Sequence, residues 1–136
     1  MKNFTSHSEE ETKNIAQNIA QNLSSNIIAL TGELGAGKTI FAQGFAKGLR
    51  IKEKIVSPTF VLIRQHPIPN TNQTLYHIDL YRIEQFESLG LKEIMADQSN
   101  IVLIEWAEKI EKDLPKNTIK ISLKKINENK RLITIS

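Results

Sequence analysis

Apolar residues near the start of the chain recur on one helical face, at Ile15, Ile19 and Leu23. Ser8 and Glu11 precede them with the spacing of a capping box, so the pattern predicts that a helix begins at this point. The next apolar residues form a short continuous run over 27–30, which is typical of a strand buried on both faces. The chain is therefore predicted to begin with a helix followed by a buried strand.

A glycine-rich stretch over 32–39 follows that strand and separates it from a second helical pattern. In this pattern apolar residues return at every fourth position, at Phe41, Phe45 and Leu49. Gly48 stands close to the expected end of the helix, where glycine is common. The predicted order is therefore strand, glycine loop and helix.

The middle of the chain alternates between strand and helix patterns, after a break at Ser57-Pro58. The patterns predict, in order, a strand over 60–64, a loop over 67–72, a strand over 75–80 and a helix or broken helix over 83–95. A second continuous apolar run over 101–104 predicts another buried strand, which ends in Glu105.

The last part of the chain has a different pattern, since apolar and polar residues alternate from Ile119 to Leu123. A turn over 127–130 leads to a last strand over 132–135, so the two strands are predicted to form an antiparallel hairpin with one face in water. Together the elements predict an α/β fold. We expect a single P-loop domain over 1–136, with a mixed parallel and antiparallel sheet flanked by helices and a C-terminal hairpin.

The composition agrees with this prediction, because 136 residues with 40% hydrophobic and 24% charged residues suit one globular domain. The chain has no cysteine, which excludes a disulfide framework and a thiolate metal site. No apolar run approaches the roughly 20 residues that span a bilayer, and the acidic start of the chain does not resemble a signal peptide. We therefore expect a cytoplasmic protein without membrane contact. A net charge of +3 is compatible with a polyanionic partner but does not require one.

The glycine-rich stretch, Gly32-Glu33-Leu34-Gly35-Ala36-Gly37-Lys38-Thr39, matches the pattern of a phosphate-binding loop. Glycines let backbone N–H groups converge on phosphate oxygens, because they adopt unusual dihedral angles and have no Cβ in the way. Lys38 is placed for the β- and γ-phosphates, and the Thr39 hydroxyl for Mg²⁺. The following helix adds the partial positive charge of its N-terminus. The stretch therefore predicts binding of a nucleoside triphosphate with Mg²⁺.

Two acidic residues end predicted strands, and both suit the metal side of such a site. Glu105 follows the run over 101–104, and Asp79 lies at the end of the preceding strand. The sequence leaves open which acid holds the metal and which orients an attacking water, and either acid could simply face solvent. Thr59 is a candidate sensor of the γ-phosphate or part of an ordinary proline turn. Trp106 is interpreted as a core or interface residue rather than a base-stacking one.

ATP is favoured over GTP, because Asn129-Lys130-Arg131-Leu132, the nearest match to a guanine-reading Asn/Thr-Lys-x-Asp stretch, lacks the aspartate. The main alternative is a small-molecule or nucleotide kinase, which needs a second pocket and usually several lid arginines. The arginines of this chain are Arg50, Arg64, Arg82 and Arg131. Another alternative is a nucleic-acid-binding module that uses the basic C-terminal part. Acidic residues interrupt its lysines and no aromatic residue follows Trp106, which argues against a stacking platform.

Several motifs occur together: the loop over 32–39, Ser57-Pro58-Thr59-Phe60, His77-Ile78-Asp79-Leu80-Tyr81-Arg82, Glu105-Trp106 and Leu114-Pro115. In this combination and order the chain resembles the TsaE family (also called YjeE), small bacterial ATPases of tRNA threonylcarbamoyladenosine synthesis. The loop alone indicates only a P-loop protein, and the His-x-Asp-x-Tyr-Arg and Glu-Trp elements make the resemblance specific. The resemblance implies an ATPase that is slow on its own and acts with two partners, a TsaB-like and a TsaD-like protein. The TsaD-like partner transfers the threonylcarbamoyl group, so contact with tRNA is expected to be indirect.

The resemblance also implies roles for single residues. The nucleotide phosphates would be contacted by Gly35, Ala36, Gly37, Lys38, Thr39 and Ile40. Thr39 and Glu105 would bind Mg²⁺, and the expected catalytic residues are Lys38, Thr59, Asp79 and Glu105. Asp79 would also lie beside the nucleotide. Members of the family use their N-terminal segment and late hairpin near the base, which points to the surroundings of Glu9 and to the stretch from Glu128 to Arg131.

Overall fold

The computed structural model describes residues 2–33, 35–55, 63–82 and 90–136. The strands in these residues are β1 (Lys2–Ser6), β2 (Ile27–Thr31), β3 (Ile63–Pro67), β4 (Thr74–Asp79), β5 (Asn100–Glu105), β6 (Ile119–Lys125) and β7 (Arg131–Ile135). The helices are α1 (Glu9–Gln21), α2 (Lys38–Gly48), α3 (Leu91–Ala96) and a 3-10 helix (Ala107–Asp113). Within the described ranges no helix is long and apolar enough to cross a membrane.

The seven described strands form one sheet in the order β1-β7-β6-β2-β5-β4-β3. Strands β6, β2, β5 and β4 run parallel, whereas β7 is antiparallel to β1 and β6, and β3 is antiparallel to β4. The predicted α/β class with a mixed sheet and a C-terminal hairpin is confirmed. Because parallel strands end at the same edge of a sheet, β2, β4 and β5 bring the residues at their carboxyl ends to one place.

Helices α1 and α2 cover one face of the sheet, as their apolar faces predict. Phe41 and Phe45 of α2 are fully buried in the core on this face. The two helices approach closely at Gly44, where a Cβ would lie 2.3 Å from the carbonyl oxygen of Lys13 in α1. Helix α3 and the 3-10 helix contribute to a second core on the other face. The sheet is therefore covered by helices on both faces, over its parallel strands.

The start of α1 uses the predicted capping residues. Ser8 Oγ accepts a hydrogen bond from Glu11 N at 3.0 Å, and Glu11 Oε2 accepts one from His7 N at 2.8 Å. The buried hydroxyls of Ser6 and Thr12 also form a hydrogen bond, with 2.6 Å between the oxygens. These contacts fix the start of α1 against the end of β1.

Two elements are not predicted by the sequence patterns. In β1 only Ser6 is buried, so the strand has no apolar alternation and depends on its pairing with β7. In the 3-10 helix the buried residues are Ala107 and Ile110, a single apolar pair three residues apart. One pair of this spacing is too short a pattern to distinguish a helix from a loop.

The predicted elements of the middle region are displaced or only partly described. β3 runs to Pro67, further along the chain than the strand predicted over 60–64, and 56–62 lie outside the described residues. Pro67 ends an edge strand, where a missing N–H need not remove a ladder hydrogen bond. Of the helix predicted over 83–95, the structure describes α3, and 83–89 lie outside the described residues.

Candidate functional site

The glycine-rich loop connects β2 to α2, as the sequence predicts. Gly32, Gly35 and Gly37 have φ angles of 151°, 81° and 103°, which residues with a side chain rarely adopt. A Cβ on Gly32 would lie 2.7 Å from the carbonyl oxygen of Leu123 in β6. The glycines therefore let the loop turn tightly against the sheet before α2 begins.

The N-terminus of α2 opens into a cavity of about 790 Å³. The helix begins at Lys38, and its first described hydrogen bond runs from Phe41 N to Gly37 O at 2.9 Å. Helix geometry leaves the N–H groups of Lys38, Thr39 and Ile40 available to a ligand, and all of these residues line the cavity. An anion here would receive backbone hydrogen bonds and the positive end of the helix dipole.

The Lys38 side chain lies inside the loop. Its Nζ donates hydrogen bonds to the carbonyl oxygens of Gly32 and, at 3.0 Å, of Glu33. The same Nζ is 4.3 Å from the centroid of the Trp106 ring. Burial lowers the pKa of Lys38, and nearby carboxylates, Glu105 first among them, act in the opposite direction. Charged phosphate oxygens are stronger hydrogen-bond acceptors than carbonyl oxygens. The ammonium group is therefore placed to leave these two carbonyls for a bound phosphate.

Asp79 and Glu105 bring two carboxyl groups to the same cavity. They are the last residues of β4 and β5 and lie directly opposite each other in the sheet. Both residues are 3% exposed and both line the cavity. Asp79 Oδ1 accepts a hydrogen bond from Tyr81 N at 2.9 Å, and Glu105 Oε2 lies 2.5 Å from His77 Nε2. Each carboxylate is therefore held by a neighbour.

The donor set fits Mg²⁺ better than a metal that needs a cage made wholly of protein ligands. In the part of the chain that the structure describes, no group of three or more His, Cys, Asp or Glu side chains could hold a metal ion. Mg²⁺ prefers oxygen ligands and usually takes one or two carboxylates, waters and substrate phosphates. The Thr39 hydroxyl and the Glu105 carboxylate both line the cavity and provide such oxygens.

One part of the cavity, which we call the strand-end wall, is lined by the glycine loop, the start of α2 and the ends of β4 and β5: Gly35, Gly37, Lys38, Thr39, Ile40, Asp79 and Glu105. Another part, which we call the terminal wall, is lined by His7, Ser8, Glu9, Thr12, Glu128, Asn129 and Arg131. The pairing of β1 with β7 brings its two segments together, because Ser6 lies opposite Arg131. Arg131 Nη2 also donates a hydrogen bond to Gly35 O at 3.3 Å. Arg131 therefore connects the terminal wall to the glycine loop.

Most of the residues predicted for the site lie around this one cavity: Glu9, Gly35, Gly37, Lys38, Thr39, Ile40, Asp79, Glu105 and Arg131. Ala36 differs, because its side chain is 2% exposed and belongs to the hydrophobic core. Thr59 lies outside the described residues. The roles of these residues toward a nucleotide or a metal stay predictions.

Sequence reasoning missed two features of the site. It did not connect His77 with Glu105, because that contact depends on the register between β4 and β5. It also gave Trp106 no place in the cavity. The indole packs partly against the second core, as expected, but it also lines the cavity and lies 4.9 Å from the Tyr81 ring, centroid to centroid. In the sequence, the one signal for Trp106 was that it directly follows Glu105, an acidic residue at the end of a predicted strand.

Comparison with known proteins gives a consistent result. The chain matches the family model of the threonylcarbamoyl adenosine biosynthesis protein TsaE over residues 6–133. It is 41% identical over 129 residues to the tRNA threonylcarbamoyladenosine biosynthesis protein TsaE of Bacillus subtilis, covering 93% of this chain and 80% of the relative. The protein of the same name from Rickettsia typhi is 44% identical over 136 residues, covering 96% of this chain and 92% of the relative. The crystal structure of YdiB from Bacillus subtilis is similar with a TM-score of 0.81 and 34% identity, covering 98% of this chain and 83% of that one.

Proposed function

This chain belongs to the TsaE family, and from that premise we propose that it binds and slowly hydrolyses ATP with Mg²⁺ in tRNA threonylcarbamoyladenosine synthesis. The relatives from Bacillus subtilis and Rickettsia typhi are named for that synthesis. We assign 1–136 to one P-loop ATPase domain and the cavity to ATP. The hydrolysis cycle supports turnover of the partners that modify the tRNA.

One arrangement supports this proposal most. Lys38 lies within the glycine loop, and the buried carboxylates of Asp79 and Glu105 line the same cavity. A triphosphate in this cavity would gain from the ammonium group and the helix N-terminus but would be repelled by both carboxylates. A divalent cation held on the carboxylate side of the cavity would offset that repulsion, and this need favours a Mg²⁺ complex over the free nucleotide.

The chain's residues divide the work as follows. The loop amides from Gly35 to Ile40 hold the phosphates, and among them the Ala36 amide would first have to leave the carbonyl oxygen of Glu33, to which it donates at 3.0 Å. Lys38 Nζ would likewise leave the carbonyls of its own loop for the β- and γ-oxygens. The Thr39 hydroxyl and Glu105 would hold Mg²⁺, which would supply charge stabilisation for the transferred phosphoryl group. Asp79, anchored through Oδ1 by Tyr81 N, orients the attacking water. We assign Thr59 to a switch segment that responds to the γ-phosphate.

We place the adenine base against the terminal wall, beside Glu9 and Arg131. Glu9 offers an acceptor for an exocyclic amine. Arg131 offers a planar cation that can stack on a base, and it is also bonded to the loop. ATP rather than GTP is proposed because the stretch over 129–132 lacks the aspartate that reads guanine.

The partners in this proposal are a TsaB-like and a TsaD-like protein, and tRNA is reached through them. Arg82 and Arg131 are the arginines that line the cavity in the described part of the chain. Together with Lys38 they face four acidic residues in the same lining, Glu9, Asp79, Glu105 and Glu128. This balance supports slow hydrolysis by the chain alone and stimulation by partners. We propose that this takes place in the cytoplasm, without contact to a membrane.

The comparisons favour this role over a small-molecule kinase, since the relatives are named for tRNA threonylcarbamoyladenosine synthesis. The two functions differ in what accepts the phosphoryl group. In the ATPase the acceptor is water, and in a kinase it is a second substrate.

The test is a reconstitution with purified components. We expect this chain to bind Mg·ATP alone, to hydrolyse it faster when both partners are present, and to support threonylcarbamoyladenosine formation in tRNA. The Lys38→Ala variant should support neither reaction. Transfer of phosphate to a nucleoside or sugar without partners would instead establish the kinase. Absence of both nucleotide binding and tRNA modification would contradict the proposal.

A further inference from the structure

A buried contact lies directly behind the cavity, on the side of the metal carboxylate. His77 in β4 and Glu105 in β5 have side chains that are 1% and 3% exposed. His77 Nε2 and Glu105 Oε2 are 2.5 Å apart. Because a carboxylate oxygen only accepts hydrogen bonds, Nε2 of His77 carries the hydrogen and donates it.

The register of the sheet produces this contact. Leu103 lies opposite His77 and Glu105 lies opposite Asp79, so His77 is the diagonal neighbour of Glu105. Side chains at this diagonal are within reach of each other when one is long or aromatic. β4 has neighbours on both sides, so its backbone at His77 is held by pairing with both β3 and β5.

The rest of the imidazole has no described partner. Among the residues that the structure describes, Nδ1 of His77 is buried without a hydrogen bond, and so is Nε of Arg64, which lies opposite His77 in β3. Buried polar atoms are normally hydrogen-bonded, so a buried histidine that uses only one of its two nitrogens is unusual. Among the described residues, Glu105 is therefore the hydrogen-bond partner of the imidazole.

We propose that His77 is a positioning residue for Mg²⁺: by binding Oε2 it holds the Glu105 carboxylate in place at the cavity. This inference rests on the proposed function, since that function makes Glu105 a metal ligand. Hydrogen bonds from neighbouring side chains orient metal-binding groups and tune their affinity, and losing one typically costs about 10–100-fold in metal affinity or activity.

The attraction of a nearby charge gives a reason for the carboxylate to be held. Glu105 is the carboxylate that most opposes the lowering of the Lys38 pKa, so the two charges attract each other across the site. We expect this attraction to draw Glu105 toward Lys38 when His77 is removed. An ion pair between them would remove a metal ligand and a phosphate-binding cation at once.

The test compares His77→Met with His77→Gln. Both side chains are unbranched and of similar length, but only glutamine keeps an N–H donor near the position of Nε2. Mg²⁺ is titrated into each protein with a non-hydrolysable ATP analogue, and fluorescence of Trp106, the only tryptophan, reports on the cavity. We expect the Mg²⁺ concentration at half effect to rise about 10–100-fold in His77→Met and to return most of the way in His77→Gln. Affinity for the analogue in EDTA should be unchanged in both.

Three results would overturn the inference: no change in Mg²⁺ affinity for His77→Met, equal losses in both variants, or weaker analogue binding in EDTA. A wild-type protein that does not bind the analogue with Mg²⁺ would contradict the proposed function instead. If Glu105→Gln weakens Mg²⁺ binding and His77→Met does not, the result would contradict only this inference.

If His77→Met does not fold, histidine NMR of the wild-type protein gives the decision. We expect His77 to be protonated on Nε2 and its signal to shift when Mg²⁺ joins the bound analogue. A His77 protonated only on Nδ1, or one that does not respond to Mg²⁺, would overturn the inference.

Discussion

The two walls of the cavity are built in different ways. In the strand-end wall Lys38, Asp79 and Glu105 are 7%, 3% and 3% exposed, and they follow from the order of the parallel strands. In the terminal wall Glu9 and Glu128 are exposed, and they belong to a strand–helix junction and a hairpin turn. One wall is fixed by the central sheet. The other depends on the pairing of the edge strand β1 with β7.

This difference predicts how the walls respond to change. Buried charges are held in one arrangement, and little water is present to compensate for a lost partner. Removing a buried charge should therefore lower ligand affinity or hydrolysis strongly. Exposed charges are screened and contribute little each. ATP and inorganic tripolyphosphate separate the walls, because tripolyphosphate lacks the part of ATP that the terminal wall would contact.

The largest effect is expected for Lys38→Ala in the strand-end wall. Loss of charged hydrogen bonds worth about 3 kcal/mol should weaken binding of both ATP and tripolyphosphate about 100-fold. Isothermal titration calorimetry with each ligand measures this. Lys47→Ala, in the exposed last turn of the same helix, is the matched control and should bind like the wild type. Unchanged binding in Lys38→Ala would remove the loop from the phosphate site.

Glu105→Gln should separate hydrolysis from binding. The amide keeps the size of the side chain but loses the charge that holds the metal, so Mg²⁺-dependent hydrolysis should fall by about 100-fold, equivalent to about 2.7 kcal/mol of transition-state stabilisation. Binding of ATP in EDTA should stay the same or improve, because one repulsive charge is gone. Single-turnover kinetics and calorimetry measure the two quantities.

Glu111→Gln is the control for that variant, since Glu111 is exposed and pairs with Lys120 on the surface. Equal losses of binding and hydrolysis in Glu105→Gln, together with a lower melting temperature, would indicate a folding role for Glu105 instead of a metal-binding one.

The same contrast separates what sequence alone could predict from what it could not. Lys38 and its glycines form a local motif, and Glu105 follows an apolar run, so both are visible without any knowledge of pairing. Glu9 and Arg131 were placed by resemblance, because the strand that joins them, β1, carries no periodic signal. His77 and Glu105 are 28 residues apart, and their contact requires the register of two strands. Long-range pairing is therefore what the sequence did not provide.

Arg131→Ala tests the link between the walls. Arg131 donates to Gly35 O at 3.3 Å and to Asn127 O at 2.7 Å, and so joins the hairpin turn to the loop. Because these bonds are exposed, we expect their loss to cost about 1 kcal/mol, or about fivefold in affinity, for tripolyphosphate. ATP should lose more, because it also loses the stacking of the guanidinium on its base. Lys130→Ala, at the neighbouring position, should have no effect. A loss confined to ATP would assign Arg131 to the base alone.

The smallest effect is expected for Glu9→Gln, and its direction matters more than its size. Glu9 is exposed in the first turn of α1, where its charge also favours the helix dipole by a few tenths of a kcal/mol. If Glu9 contacts the base, removing its charge should weaken ATP about twofold and leave tripolyphosphate unchanged. If Glu9 faced the phosphates, the same change would relieve repulsion and tighten both ligands. Glu10→Gln, in the same turn, is the control, and tighter binding of both ligands in Glu9→Gln alone would contradict a base-binding terminal wall.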